Sequence, residues 1–377
     1  MRIFHRFRPG LLALSLLALI STYPISSAHA STTVMLASQT NRTLDGRYID
    51  DSIADSLLPN GKLGSLVFLP TQQRQTWLID AQLIDEVQGM VKGYTLTTGK
   101  TGVGAQAAQS WLDQLKRVTA SQPIVALPYG NPSGYWIHKL DPHDQSFFLT
   151  IGATELSNFF NRPIAAPTGF LNSSPYSLPD YATQPFVDMQ KALSIVGKYL
   201  DPQELETYQL RSANIFSLNI PRTRRDFLTH DLEVETYNLM GRIHLATGKF
   251  SVTSRRQNLP ITVVNDFPTP AHITLNIEPG NSRIIVHGRA ELTINGHSKV
   301  QVLIPIEVIA SGPSELDISI LDSAKNQLGE TTVYPVNLRV FSPVATWITG
   351  GAAILLFIGV VIQSIRRIRR TRGRGHE

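Results

Sequence analysis

The sequence predicts an α/β domain, then an all-β domain and one C-terminal transmembrane helix. Short apolar runs alternate with helical periods over residues 64–127, and the apolar period changes from 3.6 to 2 residues near Gly248. Residues 344–365 carry no charged side chain. We therefore divide the 377-residue chain into an α/β domain with closing helices at 31–246, a β domain at 247–343 and a membrane span at 344–365.

The N-terminal residues have the features of an exported protein. Three arginines lie among the first eight residues, an apolar run follows at 11–21, and Ala28 and Ala30 form a small-x-small cleavage signal. This pattern predicts a secretory signal peptide at 1–30. The alternative is an uncleaved anchor, for which the apolar run is short.

The α/β domain is predicted from alternating strands and helices. Residues 31–58 show no sustained period, and we interpret them as a leader or an irregular edge of the domain. Alternation of this kind is typical of βαβ units and a parallel sheet, with loop chemistry at the carboxyl ends of the strands. The predicted elements are strands at 65–69 and 76–79, a helix at 80–91 opened by Asp80, a helix at 105–120, a strand at 123–127 and closing helices at 186–199 and 202–212.

The β domain is predicted from short alternating segments separated by turn residues. About eight strands in fewer than 100 residues indicate an immunoglobulin-like β-sandwich, without the cysteines of antibody domains. The strands are predicted at 250–254, 260–264, 272–277, 283–287, 291–294, 300–309, 315–321 and 331–341.

The uncharged C-terminal segment has the length of a membrane span. Its 22 residues would form a helix of about 33 Å, enough to cross a hydrocarbon core of about 30 Å, and Trp347 lies where an interfacial aromatic side chain anchors a span. The span makes the lipid bilayer an expected partner. The basic tail at 366–377 predicts a cytoplasmic C-terminus, so the N-terminal domains are expected to lie outside the cell membrane. The arginines of this tail are Arg366, Arg367, Arg369, Arg370, Arg372 and Arg374.

The charge distribution excludes a nucleic-acid partner. The whole chain has a formal charge of +5, but three arginines lie in the signal peptide and six in the tail. Residues 31–343 contain 25 Lys and Arg against 28 Asp and Glu, a charge of −3, so the basic excess reflects topology. The chain has no cysteine, which excludes disulfides and thiolate metal sites, and we predict no cofactor.

One histidine and aspartate cluster lies in the α/β domain. His138, Asp141 and His143 fall within seven residues, but Pro142 interrupts them and the two histidines are five residues apart. That spacing does not put both histidines on one face of a helix or strand, so a solvated loop is the preferred interpretation. If the cluster is a site, Asp80 at the end of a predicted strand is the expected additional ligand.

Several segments resemble a known family. The segments TWLIDAQLIDEVQGMVKGY, AAQSWLDQLKRV, PIVALPYGNPS and LPITVVND, with the terminal span and arginine tail, are similar to an uncharacterised actinobacterial family of exported single-pass membrane proteins. The resemblance implies genes beside a lipid II flippase-type gene, a role in envelope biogenesis, and a first domain like a degenerate glycosidase or deacetylase barrel. Members of that family are usually longer, and they carry Asp where this chain has Asn131.

Two functions remain open from the sequence. The first is a non-catalytic envelope protein that binds peptidoglycan or a membrane protein of envelope biogenesis. The second is a hydrolase or deacetylase acting on cell-wall polysaccharide, with Asp80, Asp85 or Glu86 as its acid–base groups. Asp85 and Glu86 are neighbours on a predicted helix and point about 100° apart, so they are poor candidates for a catalytic pair.

Overall fold

The computed structural model describes residues 32–69, 74–218, 220–287, 289–339 and 343–372. The predicted signal peptide and the last five residues of the basic tail lie outside the described residues.

A three-stranded parallel sheet lies at the centre of the N-terminal part. Its strands are β1 (Thr32–Leu36), β2 (Gln75–Ile79) and β3 (Ile124–Ala126), in the order β1-β2-β3. Both pairings are parallel, so the carboxyl ends of the three strands meet at one edge. The described strands form an open sheet, and a closed βα barrel is not confirmed.

The four helices predicted for this part are present among nine described helices, and one predicted strand is corrected. Residues 65–69 were predicted as a strand and are helical, because Leu63 and Val67 are buried four residues apart on one face and Trp111 Nε1 donates to the carbonyl of Leu63 at 3.1 Å. A short apolar run does not distinguish a strand from a buried helix turn. The helices are α1 (Ser52–Leu57), α2 (Lys62–Phe68), α3 (Ala81–Val91), α4 (Ala105–Thr119), α5 (Gly134–Leu140), α6 (Gln145–Phe160), α7 (Asp180–Val196), α8 (Pro202–Ser212) and α9 (Arg222–Met240).

The interpretation of residues 31–58 as a leader or irregular edge is also corrected. These residues contain β1, a buried loop and α1. Only Leu36 is buried in β1, because this strand lies at the edge of the sheet, and so the sequence shows no alternation there.

The C-terminal part is rich in β-structure, as predicted. Each of the eight predicted strands has a counterpart, and alternate residues along the long strands are buried, as in β11 with Leu316, Ile318 and Ile320. The strands form a four-stranded sheet, β4-β6-β10-β8, and a five-stranded sheet, β5-β12-β11-β7-β9, and an immunoglobulin-like sandwich is not confirmed. The strands are β4 (Ile243–Leu245), β5 (Phe250–Val252), β6 (Arg256–Asn265), β7 (Ala271–Pro279), β8 (Ile284–Val286), β9 (Ala290–Ile294), β10 (Ser298–Val308), β11 (Gly312–Asp322) and β12 (Gln327–Leu338).

An ion pair joins the helical part to the β-rich part. Lys198, in a 3-10 turn after α7, donates to Asp322 Oδ2 at the end of β11 at 2.8 Å. The Asp322 carboxylate is fully buried and also accepts the amides of Ala324 and Asn326 at 2.9 and 2.8 Å. Burial raises the pKa of Asp322, but Lys198 and the backbone amide and side chain of Asn326 outweigh it and hold this pKa below its usual value.

The last described element is α10 (Pro343–Arg372), whose segment Trp347–Arg367 is long and apolar enough to cross a membrane. None of this segment is buried against the rest of the protein, and Trp347 is 82% exposed. Its apolar side chains therefore have no protein core to pack into. Arg369 and Arg370 continue the same helix.

Candidate functional site

A cleft lies at the edge of the parallel sheet where the strands end. The loop after β1, helices α1 and α2, the loop after β3 and the segment after α8 surround a cavity of about 410 Å³. In open α/β sheets, ligands bind outside the carboxyl ends of the strands, so this is the first place to look for function. The cleft is lined by Met35, Ala37, Ser38, Gln39, Asn41, Ser52, Ile53, Ser56, Lys62, Leu63, Gly130, Asn131, Ser217 and Leu218.

Asp80 lies directly after β2 and caps α3. Its Oδ1 accepts the backbone amide of Gln82 at 3.0 Å and that of Gly130 at 2.9 Å, which ties the end of β2 to the loop after β3. Asp80 is fully buried, and its Oδ2 has no hydrogen-bond partner. Burial, together with the nearby Glu86 carboxyl and partly opposed by the two amides, raises the pKa of Asp80 from 3.8 to about 7.

Glu86 lies on α3 and holds the loop after β1. Its Oε1 accepts Thr40 Oγ1 at 2.7 Å and the Asn41 amide at 2.9 Å, whereas Oε2 has no partner. Only 1% of Glu86 is exposed. Burial raises the pKa of Glu86 from 4.5 to about 7, against the two hydrogen bonds that lower it.

The loop after β3 has two successive residues with positive φ. Gly130 has φ 71° and Asn131 has φ 42°. The backbone of Asn131 is satisfied, because its amide donates to Pro128 at 2.8 Å and its carbonyl accepts Leu218 at 3.2 Å. Its side chain lines the cleft, is 7% exposed, and has an Oδ1 without a partner. A non-glycine residue with a left-handed backbone and an unsatisfied side-chain amide oxygen is typical of a site where backbone strain is retained for function.

The 3-10 turn after α8 joins these groups into one network. Ser217 Oγ donates to the Gly130 carbonyl at 2.6 Å, and Asn214 Nδ2 donates to Thr40 Oγ1 at 3.4 Å. Asn214 Oδ1 lies so close to Gly130 that a Cβ there would be 2.3 Å away. Asp80 and Glu86 are thus connected through loops from three parts of the chain, and we call this set the sheet-edge network.

The carboxyl groups of Asp80 and Glu86 stabilise the loops around the cleft but do not line it. Within the described part of the chain, the lining of the cleft contains no Asp, Glu or His, and Lys62 is its one charged residue. Asp80 and Glu86 instead hold the backbone of the loops that form the lining. The arrangement can therefore position amide and hydroxyl groups, but it presents no carboxyl group to a molecule in the cleft.

Asp85, the third carboxylate considered from the sequence, lies on α3 next to Glu86 and has different partners. It accepts Tyr129 Oη at 3.0 Å, and Arg42 and Arg211 each approach it at 3.5 Å. Glu86 has none of these partners. Asp85 and Glu86 therefore share no hydrogen-bond or ion-pair partner among the described residues.

The predicted histidine and aspartate cluster is not joined to Asp80. His138 lies on α5 with its Nδ1 2.9 Å from Gln145 Nε2, and both His138 and His143 are exposed. Burial and the neighbouring charge of Asp144 raise the pKa of Asp141. Among the described residues, no group of three or more His, Cys, Asp or Glu side chains is arranged to hold a metal ion.

Sequence reasoning identified Asp80 but missed most other members of the sheet-edge network. Thr40, Asn41, Asn214 and Ser217 lie in irregular segments with no period, and they reach the sheet edge only through the fold. The one available signal was Gly130-Asn131 after a buried strand, because this pair favours positive φ.

Comparison with solved structures gives matches over about a quarter of the chain. Alpha-2-macroglobulin of Escherichia coli is 12% identical over 26% of this chain, with a TM-score of 0.22, and the match spans 6% of that protein. An MSP family member of C. elegans is 9% identical over 26% of this chain and 97% of its own, with a TM-score of 0.21. A PapD-like domain of human CEP192 is 8% identical over 27% of this chain and 86% of its own, with a TM-score of 0.21.

No curated protein matches the chain. The model of a protein family described as a family of unknown function (DUF6049) matches residues 180–373, from the start of α7 through α10. Because the match covers just over half of the sequence, the chain belongs to this family of unknown function.

Proposed function

We propose that this protein is a non-catalytic, single-pass membrane protein whose folded parts lie outside the cytoplasm and bind a component of the cell envelope. The observation that carries the proposal is the described lining of the sheet-edge cleft, in which no residue is acidic or a histidine. Acid–base hydrolysis of a glycosidic bond needs two carboxyl groups that reach the substrate. Asp80 and Glu86 are 0% and 1% exposed and are used to hold loops.

The C-terminal helix supports the membrane part of the proposal. A fully exposed apolar segment of 21 residues is stable in lipid and unfavourable in water. Arginines follow this segment, and the positive-inside rule then places the tail in the cytoplasm. Residues 31–343, with a charge of −3, would lie on the other side.

The β-rich part would hold the sheet-edge cleft away from the membrane. Residues 243–338 lie between the helical part and α10 in the chain, and Lys198 and Asp322 fix the two folded parts to each other. In this proposal the two sheets form an immunoglobulin-like module that acts as a spacer or contacts a membrane partner. The resemblance noted in the sequence suggests that this partner belongs to actinobacterial envelope biogenesis, such as a lipid II flippase-type protein.

The test is to incubate the full-length protein, in a detergent without a sugar head group, with insoluble peptidoglycan and with a membrane extract. We expect retention on one of the two without release of soluble sugar or acetate. Because the expected outcome is retention without product, that outcome needs no catalytically inactive variant as a control. Release of product would contradict the proposal.

A hydrolase or deacetylase is the second candidate function. The observation in its favour is Asp80, whose pKa of about 7 and unpartnered Oδ2 are typical of a general acid or base. If product is released, the Asp80→Asn variant decides between the two functions. Loss of product in that variant, with retention on glycan unchanged, would establish the enzyme.

A further inference from the structure

We infer that the sheet-edge cleft binds a polyhydroxylated molecule of monosaccharide size that carries one negative charge, such as a phosphate or carboxylate. This inference rests on the proposed binding role and names the ligand class for it. The cavity of about 410 Å³ is near the small end of ligand pockets, which range over roughly 300–1,000 Å³.

The hydroxyl preference follows from the polar groups at the cleft. Asn131 Oδ1 is a buried acceptor without a donor, and Ser38 and Gln39 also line the cleft. A buried acceptor without a partner costs about 1–3 kcal/mol, so a ligand that donates a hydrogen bond to Asn131 offsets this cost. An alcohol group is both donor and acceptor and can satisfy an amide and a serine together.

The backbone conformation supports a site at Asn131. Its φ of 42° places the side chain in the cleft wall, and the sheet-edge network holds this conformation through the bonds from Gly130 to Asp80 and Ser217. The amide is therefore fixed before a ligand arrives, and binding does not require ordering it.

The negative charge of the inferred ligand is argued from Lys62. This exposed lysine begins α2, is the one charged side chain of the lining, and forms no ion pair with a described residue. An acidic group on the ligand would supply the missing counter-ion and a charge-assisted hydrogen bond. An acidic or histidine side chain in the lining would have competed for Lys62, and there is none among the lining residues.

The experiment measures calorimetric binding of four probes to the full-length protein in the same sugar-free detergent. The probes are glucose 6-phosphate, glucuronate, glucose and inorganic phosphate, so that phosphate and carboxylate sources, the neutral sugar and the free ion are separated. We expect glucose 6-phosphate or glucuronate to bind about tenfold more tightly than glucose or inorganic phosphate. Whichever of the two acids binds identifies the acidic group.

Two variants locate the site. Lys62→Gln should weaken binding of the acidic sugar about tenfold and bring it to the level of glucose, whereas Asn131→Gly, which tolerates the positive φ, should weaken the sugar probes by roughly threefold to tenfold. Lys100→Gln removes an equally exposed lysine outside the cleft and should change nothing.

Three results would overturn the inference: no binding of either acidic sugar, equal binding of glucose and the acidic sugars, or unchanged binding in both cleft variants. None of them would overturn the proposed function if the protein is still retained on peptidoglycan or by a membrane partner. Conversely, specific binding that depends on Lys62, accompanied by turnover of the probe, would preserve the site and refute the non-catalytic role.

Discussion

Replacing Asp80 with asparagine should make the stability of the protein less dependent on pH. The asparagine Oδ1 can still accept the amides of Gln82 and Gly130, so the variant removes titration while keeping both bonds. The pKa of Asp80 is raised in the folded state, which means that its contribution is complete below pH 3.8 and is lost as the pH rises through about 7.

The two pKa values give the size of the effect. For an unfolded value of 3.8 and a folded value of about 7, ionisation of Asp80 should cost the wild type roughly 2–3 kcal/mol more at pH 8 than at pH 5. Glu86 titrates in the same direction in both proteins, so most of its contribution cancels when their pH dependences are compared.

The assay is urea unfolding of the full-length protein in detergent at pH 5 and pH 8, followed by tryptophan fluorescence. Trp77 and Trp111 are buried beside the sheet and report on this part of the fold. The free energy of unfolding of the wild type should fall between pH 5 and pH 8 by roughly 2–3 kcal/mol more than that of Asp80→Asn. Asp113→Asn, an exposed change on α4, should behave as the wild type. An identical pH dependence for Asp80→Asn and wild type would refute the claim that Asp80 is a desolvated member of the sheet-edge network.

Three further predictions concern substitutions of Gly130, Asp322 and Lys198. Gly130→Ala should lower the free energy of unfolding by about 2–4 kcal/mol in the same urea assay, because φ is 71° and the new Cβ would lie 2.3 Å from the buried Asn214 Oδ1. Asp322→Ala should cost about 2–3 kcal/mol by the same measurement, since two turn amides lose a charged acceptor. Lys198→Met should cost less than about 1 kcal/mol, because the lysine is 45% exposed and solvent screens the pair.

The outcomes that would contradict these predictions differ. A stable Gly130→Ala protein would mean that the loop after β3 is not held against Asn214. Equal losses for Asp322→Ala and Lys198→Met would mean that the ion pair, and not the turn amides, supplies the stability. The pKa of Asp322 is held low, so its contribution is present above about pH 3.8 and should disappear on acidification.

The elements that the sequence predicted well are those with a strong local period. Strand β2, helix α3 with its Asp80 cap, helix α4 and the strands of the C-terminal part each bury one face, and burial imposes a repeat of 3.6 or 2 residues. Strand β1 and helix α2 were missed for physical reasons. An edge strand need not alternate, and a seven-residue helix shows too few turns to reveal its period.

The candidate site was harder to predict because its contacts are not local. Asp80 was identified from its place after a strand, but Thr40 and Asn214 are 174 residues apart in the chain and meet only through the fold. The sequence offered Asp80 as an additional ligand for a site at His138, and the structure gives the two residues separate partners. Long-range hydrogen bonds of this kind leave no periodic trace in a sequence.

Site-directed labelling is the most direct test of the account, since the chain has no cysteine of its own. Lys100→Cys places a single thiol on the exposed loop before α4, and Gly373→Cys places one in the basic tail. In intact bacterial cells expressing each full-length variant, a membrane-impermeant maleimide should label the cysteine at 100 directly and the one at 373 only after permeabilisation. Labelling in the opposite pattern, or recovery of both variants in the soluble fraction, would contradict a membrane-anchored protein that presents its cleft outside the cytoplasm.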